Sequence, residues 1–145
     1  MKIIITGAGG YIGSIATGLF LERNFEVIAI DNFTTGFKKP LQILQKEFRK
    51  DKLRFYEADI AGDLNPILEK EDNIAAVVHF ASLCLVDDSM KNPQKYFQNN
   101  VCGSQNLLTS MLKYNIKNIV FSSTCAVYGE VHQIPVDETH STHPT

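Results

Sequence analysis

Residues 3–13 constrain the fold of this chain more than any other segment. An apolar run, Ile3 to Ile5, leads through Thr6 into the sequence Gly7-Ala8-Gly9-Gly10-Tyr11-Ile12-Gly13. A buried strand that ends in glycines lets the backbone turn sharply and approach a ligand closely. A helix that follows such a turn directs free N–H groups and a positive dipole end at phosphate. The segment therefore predicts a turn that binds a dinucleotide pyrophosphate, with Gly7, Gly10 and Gly13 as the required glycines.

An acidic residue follows the next apolar run. Val27 to Ile30 predicts a second strand, and Asp31 ends it, roughly 20 residues after the glycines. A carboxylate at this place is expected to bind the adenosine ribose hydroxyls. It would also repel the 2′-phosphate of NADP, and no arginine or lysine stands beside it in the sequence, so the expected cofactor is NAD.

Along the rest of the chain, short apolar runs alternate with segments in which apolar residues recur at helical spacing. This pattern predicts the α/β class, a doubly wound parallel sheet of the Rossmann type with about five strands, and one cofactor-binding domain over residues 1–145. In the first helix, Ile12, Ile15, Ala16, Leu19 and Phe20 have the spacing of one buried face. The later strands are expected at residues 53–56, 75–80 and 118–122, and the later helices at residues 41–49 and 93–114.

Composition limits the possible partners. The formal net charge of −2 gives no basic field for nucleic acid. The N-terminus lacks the layout of a signal peptide and no apolar stretch approaches the length of a membrane span, so we expect a cytoplasmic protein without a membrane partner. Cys84, Cys102 and Cys125 form no close-spaced pair and are expected to be free thiols. We predict no metal site.

Polar or small residues follow each later strand, where a parallel sheet binds its ligands. Asp59 and Ile60 follow the third strand, and the carboxylate either contacts the adenine or caps the next helix. His79 ends the fourth strand and is more typical of a buried structural histidine than of a catalytic one. Asn99, in the long helix, either contacts the cofactor or bonds to neighbouring backbone. Thr124 follows the fifth strand and either contacts substrate or satisfies the turn.

These segments together resemble the extended short-chain dehydrogenase/reductase family, and within it the UDP-galactose 4-epimerases. The resemblance runs across the whole chain, with the Asp-Asn-x-x-x-Gly loop at 31–36 and the Ser-Ser-Thr sequence at 122–124 closest to the epimerases. It implies that NAD contacts residues in the glycine turn and in the loops that follow strands two, three and four, as well as one residue of the long helix: Tyr11, Ile12, Asp31, Asn32, Phe33, Thr34, Thr35, Gly36, Asp59, Ile60, Phe80, Ala81, Ser82, Leu83, Cys84 and Asn99.

The resemblance also implies a reaction. It is the interconversion of UDP-glucose and UDP-galactose through a 4-keto intermediate, with tightly bound NAD and with Thr124 hydrogen-bonded to the reacting 4-hydroxyl of the sugar. The family's catalytic Tyr-x-x-x-Lys is absent from residues 1–145, and Cys84 stands where several epimerases have lysine. We therefore expect an incomplete amino-terminal part that lacks the substrate-binding portion and is inactive alone. The complete enzyme is expected to be a homodimer through the helix at 93–114.

Other functions stay open. A 4,6-dehydratase is disfavoured because that group has Asp-Glu directly after the threonine, where this chain has Cys125 and Ala126. An epimerase acting on another nucleotide sugar, or a decarboxylase, would share the same cofactor residues. A non-catalytic NAD-sensing module would need Asp31 and the glycines but not Thr124. The residues that follow Thr145 would separate these possibilities.

Overall fold

The computed structural model describes residues 1–144 and contains a five-stranded parallel sheet. Its strand order is β3-β2-β1-β4-β5, which places β1 at the centre. The strands are β1 (Lys2–Thr6), β2 (Glu26–Asp31), β3 (Leu53–Glu57), β4 (Ile74–His79) and β5 (Ile119–Phe121). The chain crosses from β3 over β2 and β1 to reach β4, so the direction of winding reverses beside β1. The predicted doubly wound sheet is confirmed.

Helices connect the strands, as parallel pairing requires. They are α1 (Tyr11–Glu22), α2 (Lys38–Glu47), α3 (Asn65–Leu68), α4 (Val86–Lys91), α5 (Pro93–Tyr96) and α6 (Ser104–Lys113). The predicted long helix is present, but its middle, Phe97–Gly103, is wound as a π-helix between α5 and α6. A 3₁₀ turn, Cys125–Tyr128, follows β5. Within residues 1–144, no helix has both the length and the apolar character needed to cross a membrane.

The central strands β1 and β2 are buried on both faces, which explains why they are continuous apolar runs, whereas Val120 and Phe121 of the edge strand β5 are exposed. Alternate residues of β1 point to opposite sides, so that Ile3 and Ile5 pack with Leu41 on one face. Ile4 packs with Leu107 on the other face. These two apolar layers hold the carboxyl ends of all five strands at one edge.

The predicted buried face of α1 is only partly correct, because Phe20 packs against the core but three of the other predicted residues do not. Gly13, Thr17 and Leu21 face the sheet, whereas Ile12, Ile15 and Leu19 are 58%, 49% and 46% exposed. The helix lies so close to the glycine turn that a Cβ on Gly13 would lie 2.1 Å from the carbonyl oxygen of Gly7. Only small residues fit at that contact, so the helix is rotated away from the face that hydropathy alone indicates.

A buried carboxylate ties the opposite edge of the sheet together. Glu71 accepts two hydrogen bonds from the Arg54 guanidinium, at 2.6 and 2.7 Å, and one from the Tyr56 hydroxyl at 2.9 Å. The Lys2 ammonium lies 3.3 Å away. Burial alone would raise the pKa of Glu71, but the hydrogen bonds from Arg54 and Tyr56 outweigh it, and the pKa is lowered. The cluster joins β1, β3 and the segment before β4, far from the edge that carries the predicted site.

Candidate functional site

A cleft opens at the carboxyl edge of the sheet, where β1, β2, β3 and β4 end. Its position beside the reversal of winding is where open parallel sheets bind ligands. It is lined by residues from the glycine turn, the loops after β2, β3 and β4, and the π-helix: Gly7, Gly10, Ile30, Asp31, Asn32, Thr34, Thr35, Gly36, Ala58, Ile60, Phe80, Ala81, Ser82, Leu83 and Asn99. Most of the residues predicted to contact the cofactor are therefore brought together.

The glycine turn forms the floor of the cleft. Gly7 has a φ of +71°, and its N–H donates to the carbonyl oxygen of Ile30 at 2.9 Å. A side chain on Gly7 would collide with the next loop, because its Cβ would lie 2.6 Å from the backbone nitrogen of Ala81. Gly10 closes the turn by donating to the carbonyl oxygen of Gly7 at 3.1 Å. The turn is thus packed tightly against its neighbouring loop, and Gly7 and Gly10 line the floor of the cleft.

The amino end of α1 is prepared for an anion. Its N-cap is Gly10, no side chain caps the helix, and its first turn has no acidic residue. The first N–H groups of a helix have no partner within it and carry the positive end of its dipole. Tyr11 and Ile12 are 83% and 58% exposed and do not line the cleft, while Gly13 packs on Gly7. Side-chain contacts of Tyr11 and Ile12 with the cofactor stay predictions.

Two backbone N–H groups hold the carboxylate of Asp31 in place. One carboxylate oxygen accepts the N–H of Gly9 at 2.9 Å, and the other accepts the N–H of Phe33 at 2.7 Å. These two bonds fix the carboxylate at the cleft wall and leave further lone pairs directed outward. A negatively charged acceptor in this orientation suits a pair of neighbouring hydroxyls.

The loop after β2 lies directly on the glycine turn. Phe37 donates its N–H to the carbonyl oxygen of Gly9 at 2.8 Å, and a Cβ on Gly36 would lie 2.8 Å from the carbonyl carbon of Gly9. Phe33 does not line the cleft: its ring packs edge-on to Phe55 at 6.4 Å. The residues of this loop that line the cleft are Asn32, Thr34, Thr35 and Gly36.

The nearest basic side chain along that loop already has a partner. The Lys38 ammonium pairs with Glu57 and lies 5.1 Å from the centre of the Phe33 ring. Lys38 is therefore held by a carboxylate, and the charged side chain of this region that lines the cleft is Asp31.

Asp59 occupies a shallower groove that continues from the cleft. Its two oxygens accept the N–H of Ala61 at 2.8 Å and the amide of Asn32 at 3.0 Å. Lys95, Gln98 and Asn99 form the opposite wall of this groove. The capping interpretation was wrong: no helix begins at 61–63, since α3 starts at Asn65 with Leu64 as its N-cap, and Asp59 closes a turn instead. The contact of Asp59 with adenine stays a prediction.

The loop after β4 provides the far wall. Phe80, Ala81, Ser82 and Leu83 line the cleft, but Cys84 is exposed and does not. Asn99 faces the cleft from the π-helix, and its amide donates to Asn100 Oδ1 at 2.8 Å.

His79 is a buried structural histidine. Its Nδ1 lies 2.6 Å from Thr6 Oγ1, and its Nε2 lies 2.9 Å from Ser104 Oγ. The Ser104 hydroxyl donates its only proton to the carbonyl oxygen of Asn100 at 2.7 Å. His79 must therefore donate from Nε2 and accept at Nδ1, which is the neutral form. Burial lowers the pKa of His79, in agreement with this assignment.

Thr124 lies at the same edge of the sheet but outside the cleft. Its hydroxyl oxygen accepts the N–H of Ala126 at 3.2 Å and caps the 3₁₀ turn after β5. Thr124 is exposed, so its hydroxyl is open to a substrate. Its structural role is visible here, and its catalytic role stays a prediction.

Sequence reasoning missed two kinds of residue. Ile30 and Ala58 line the cleft and directly precede Asp31 and Asp59 in the sequence. Their places at the ends of strands could have indicated them, since parallel sheets bind ligands at the carboxyl ends of their strands. Asn100 does not line the cleft, yet both ends of its side-chain amide bond to the backbone of Leu83. No sequence signal separates Asn100 from the adjacent Asn99, because only the winding of the helix decides which of the two faces the ligand.

Comparison with known proteins identifies the family. Residues 3–145 match the NAD dependent epimerase/dehydratase family. The chain belongs to this family. The resemblance predicted from the sequence motifs is confirmed, and it places the glycine turn, Asp31 and the strand-end loops in a family defined by NAD-dependent chemistry.

Individual relatives agree with this assignment. The chain is 41% identical over 146 residues to a UDP-glucose 4-epimerase of Halalkalibacterium halodurans, covering 100% of this chain and 41% of that protein. A UDP-glucose 4-epimerase of Stenotrophomonas maltophila, solved with NAD and formylated UDP-arabinopyranose, aligns with a TM-score of 0.88 at 34% identity, over 99% of this chain and 43% of that one. The enzyme of Bifidobacterium longum, solved with NAD+ and UDP, gives 0.90 at 30% identity, over 100% and 43%. The chain thus spans well under half the length of these relatives.

Proposed function

We propose that residues 1–145 form the NAD-binding part of a UDP-glucose 4-epimerase, an isomerase that interconverts UDP-glucose and UDP-galactose. The observation that carries this proposal is the Asp31 carboxylate, fixed by the N–H of Gly9 beside an uncapped helix end. The family and the named activity of its relatives support the same conclusion.

The cleft fits the adenosine diphosphate part of a dinucleotide. A Cβ on Gly7 or on Gly36 would collide with backbone atoms of a neighbouring loop. Glycine is expected at such positions, where loops and a ligand approach each other closely. The helix end provides N–H donors for the diphosphate, and Asp31 provides acceptors for the ribose. The groove at Asp59 has room for a flat ring beside the diphosphate site.

Each group of residues then has a defined task. When bound, NAD supplies a reversible hydride acceptor for the sugar C4 position. The glycine turn and α1 hold the diphosphate, Asp31 orients the ribose, and the loop from Phe80 to Leu83 covers the remaining length of the cofactor. Thr124 is proposed to hydrogen-bond the sugar 4-hydroxyl and so fix the sugar's orientation. Such positioning is typically worth about one to several powers of ten in rate.

No proton acceptor for the 4-hydroxyl is assigned among these residues. None of the five tyrosines is followed by lysine four positions later. Tyr128 follows β5, but its ring packs edge-on to His140 at 5.6 Å as part of the terminal turn. We therefore propose that residues 1–145 by themselves bind NAD but do not epimerise a sugar.

An apolar stripe supports the expected homodimer. Phe97, Val101, Leu108 and Leu112 are 66%, 54%, 45% and 79% exposed along the π-helix and α6. Large apolar residues at helical spacing on one exposed helix are typical of a surface that another helix covers. We propose a second copy of the protein as the partner.

Turnover of UDP-galactose by the full natural polypeptide that contains these residues tests the proposal. We expect conversion to UDP-glucose, and NAD retained through purification without being added. A Thr124→Val variant should retain NAD and lose turnover at least about tenfold. Retention of NAD without turnover of any nucleotide sugar would favour a sensing module, and absence of NAD would refute the proposal altogether.

A further inference from the structure

Two asparagines of the π-helix and α6 bond to cofactor loops without lining the cleft. Asn100 accepts the Leu83 N–H at its Oδ1 and donates from Nδ2 to the Leu83 carbonyl oxygen, both at 2.9 Å. This pair of bonds satisfies the whole backbone of Leu83 much as a neighbouring strand would. Leu83 itself lines the cleft, so Asn100 holds the loop after β4 in position from the side that faces away from the cleft.

Asn106 makes an equivalent contact with the loop after β3. Its Nδ2 donates to the carbonyl oxygens of Ile60 at 2.7 Å and Gly62 at 2.8 Å. Gly103 lets the helix approach this loop, because a Cβ there would lie 3.0 Å from Ile60 Cγ1. The loops after β3 and β4 are therefore both attached to one helix, through side chains six residues apart.

We propose that Asn100 and Asn106 are positioning residues for the cofactor: the helix at 97–113 acts as a template that sets the distance between these two walls. This inference rests on the proposed binding of NAD. A hydrogen-bond network that begins at the Asn100 carbonyl oxygen also fixes the position of this helix relative to the sheet. This oxygen accepts the Ser104 hydroxyl, which joins His79 and then Thr6 at the end of β1. A continuous path of hydrogen bonds thus connects the helix, β4, β1 and the glycine turn.

The two neighbouring asparagines of the π-helix have different partners, because adjacent residues of a helix point in different directions. Asn99 faces the cleft, while Asn100 faces the backbone of Leu83 and supports the Asn99 amide through its Oδ1. Segments of π-helix are rare and are frequent at functional sites. Replacing Asn100 removes the acceptor of the Leu83 N–H, the shorter of two hydrogen bonds to the Leu83 carbonyl oxygen, and one partner of Asn99. The Ser82 hydroxyl still donates to that carbonyl oxygen at 3.3 Å, so we expect the loop to become less constrained without losing every contact.

The test measures the Kd for NAD by calorimetry on nucleotide-free full natural polypeptide. Asn100→Ala should raise the Kd about tenfold or more, because the Leu83 N–H loses its acceptor and the Leu83 carbonyl oxygen keeps only the longer hydrogen bond from the Ser82 hydroxyl. Asn106→Ala should also raise it. Asn118→Ala is the matched control: its amide donates to the Ala75 carbonyl oxygen at 2.8 Å at the opposite edge of the sheet. It should lower Tm but leave the Kd within about twofold.

Asn100→Asp provides a second variant in case the alanine variant does not fold. Its carboxylate still accepts the Leu83 N–H but cannot donate to the carbonyl oxygen, so we expect a Kd between those of the wild type and of Asn100→Ala. An unchanged Kd in the folded variants of Asn100, or an equal loss in Asn118→Ala, would overturn the inference while leaving NAD binding intact. Failure of the wild type to bind NAD would instead refute the proposed function, and the inference with it.

Discussion

Glycine-to-alanine substitutions at two positions of α1, Gly13 and Gly18, test how closely this helix packs on the glycine turn. A Cβ on Gly13 would lie 2.1 Å from the Gly7 carbonyl oxygen and 2.9 Å from Ala8 Cα. Carbon and oxygen pack at about 3.3 Å or more, so the helix must move by about 1 Å. Both neighbouring atoms belong to the backbone, and no side-chain rotation can relieve the contact.

The expected energies have opposite signs at the two positions. Overpacking of this kind costs about 1–3 kcal/mol, offset by up to about 1 kcal/mol from the better helix propensity of alanine. At Gly18 the same Cβ meets only Leu44 Cδ2 at 3.4 Å, an ordinary contact. Gly18→Ala should therefore stabilise the protein by up to about 1 kcal/mol.

Thermal unfolding and NAD calorimetry on the full natural polypeptide provide the assay. Gly13→Ala should unfold several degrees below Gly18→Ala, since about 1 kcal/mol shifts Tm by about 2–8 °C, with the smaller shifts in larger proteins. It should also bind NAD at least about tenfold more weakly, because the moved helix end no longer meets the diphosphate. Equal Tm values and equal NAD affinity in the two variants would refute the close-contact reasoning.

Three further predictions concern single side chains. Asp31→Asn should weaken NAD binding and reduce the preference for NAD over NADP at least about tenfold, measured as two Kd values; an unchanged preference would remove Asp31 from cofactor selection. Glu71→Gln should lower the free energy of unfolding by about 2–4 kcal/mol in urea, because Arg54 loses its ionic partner, while an intact NAD affinity would confirm that the cluster is structural. Since the pKa of Glu71 is lowered in the folded state, this stabilisation is present above the unfolded value of about 4.5 and is lost as the pH falls through the folded value. Burial lowers the pKa of His79, so the unfolded chain binds a proton more readily, and stability should decline as the pH falls below about 6.5 and through the folded-state value. His79→Gln should flatten this decline, measured as the free energy of unfolding against pH, and an unaltered slope would contradict the neutral assignment.

The parts of the fold that depend on local signals were predictable. The strand-turn-helix at the glycines, the acid after β2 and the alternation of strands and helices each follow from a few neighbouring residues, and the observed sheet agrees with them. The orientation of α1 was not predictable from hydropathy, because a backbone contact between Gly13 and Gly7 decides it and the apolar residues are left outside.

The candidate site shows the same division. Asp31 is recognisable from its spacing, but its two backbone donors, Gly9 and Phe33, depend on how the loop folds back onto the turn. The difference between Asn99 and Asn100 depends on how the helix is rotated against the loop after β4, which two identical neighbouring residues do not reveal in the sequence. The positions of the cleft loops depend on long-range hydrogen bonds of this kind, which join residues 17 or 46 positions apart. Patterns of neighbouring residues do not reveal such bonds.

The most direct test of the account is calorimetric titration of NAD into nucleotide-free full natural polypeptide containing residues 1–145. We predict saturable binding of one NAD per chain, at least about tenfold tighter than that of NADP. Absence of heat attributable to binding, in protein shown to be folded by its cooperative thermal transition, would contradict the assignment of the cleft.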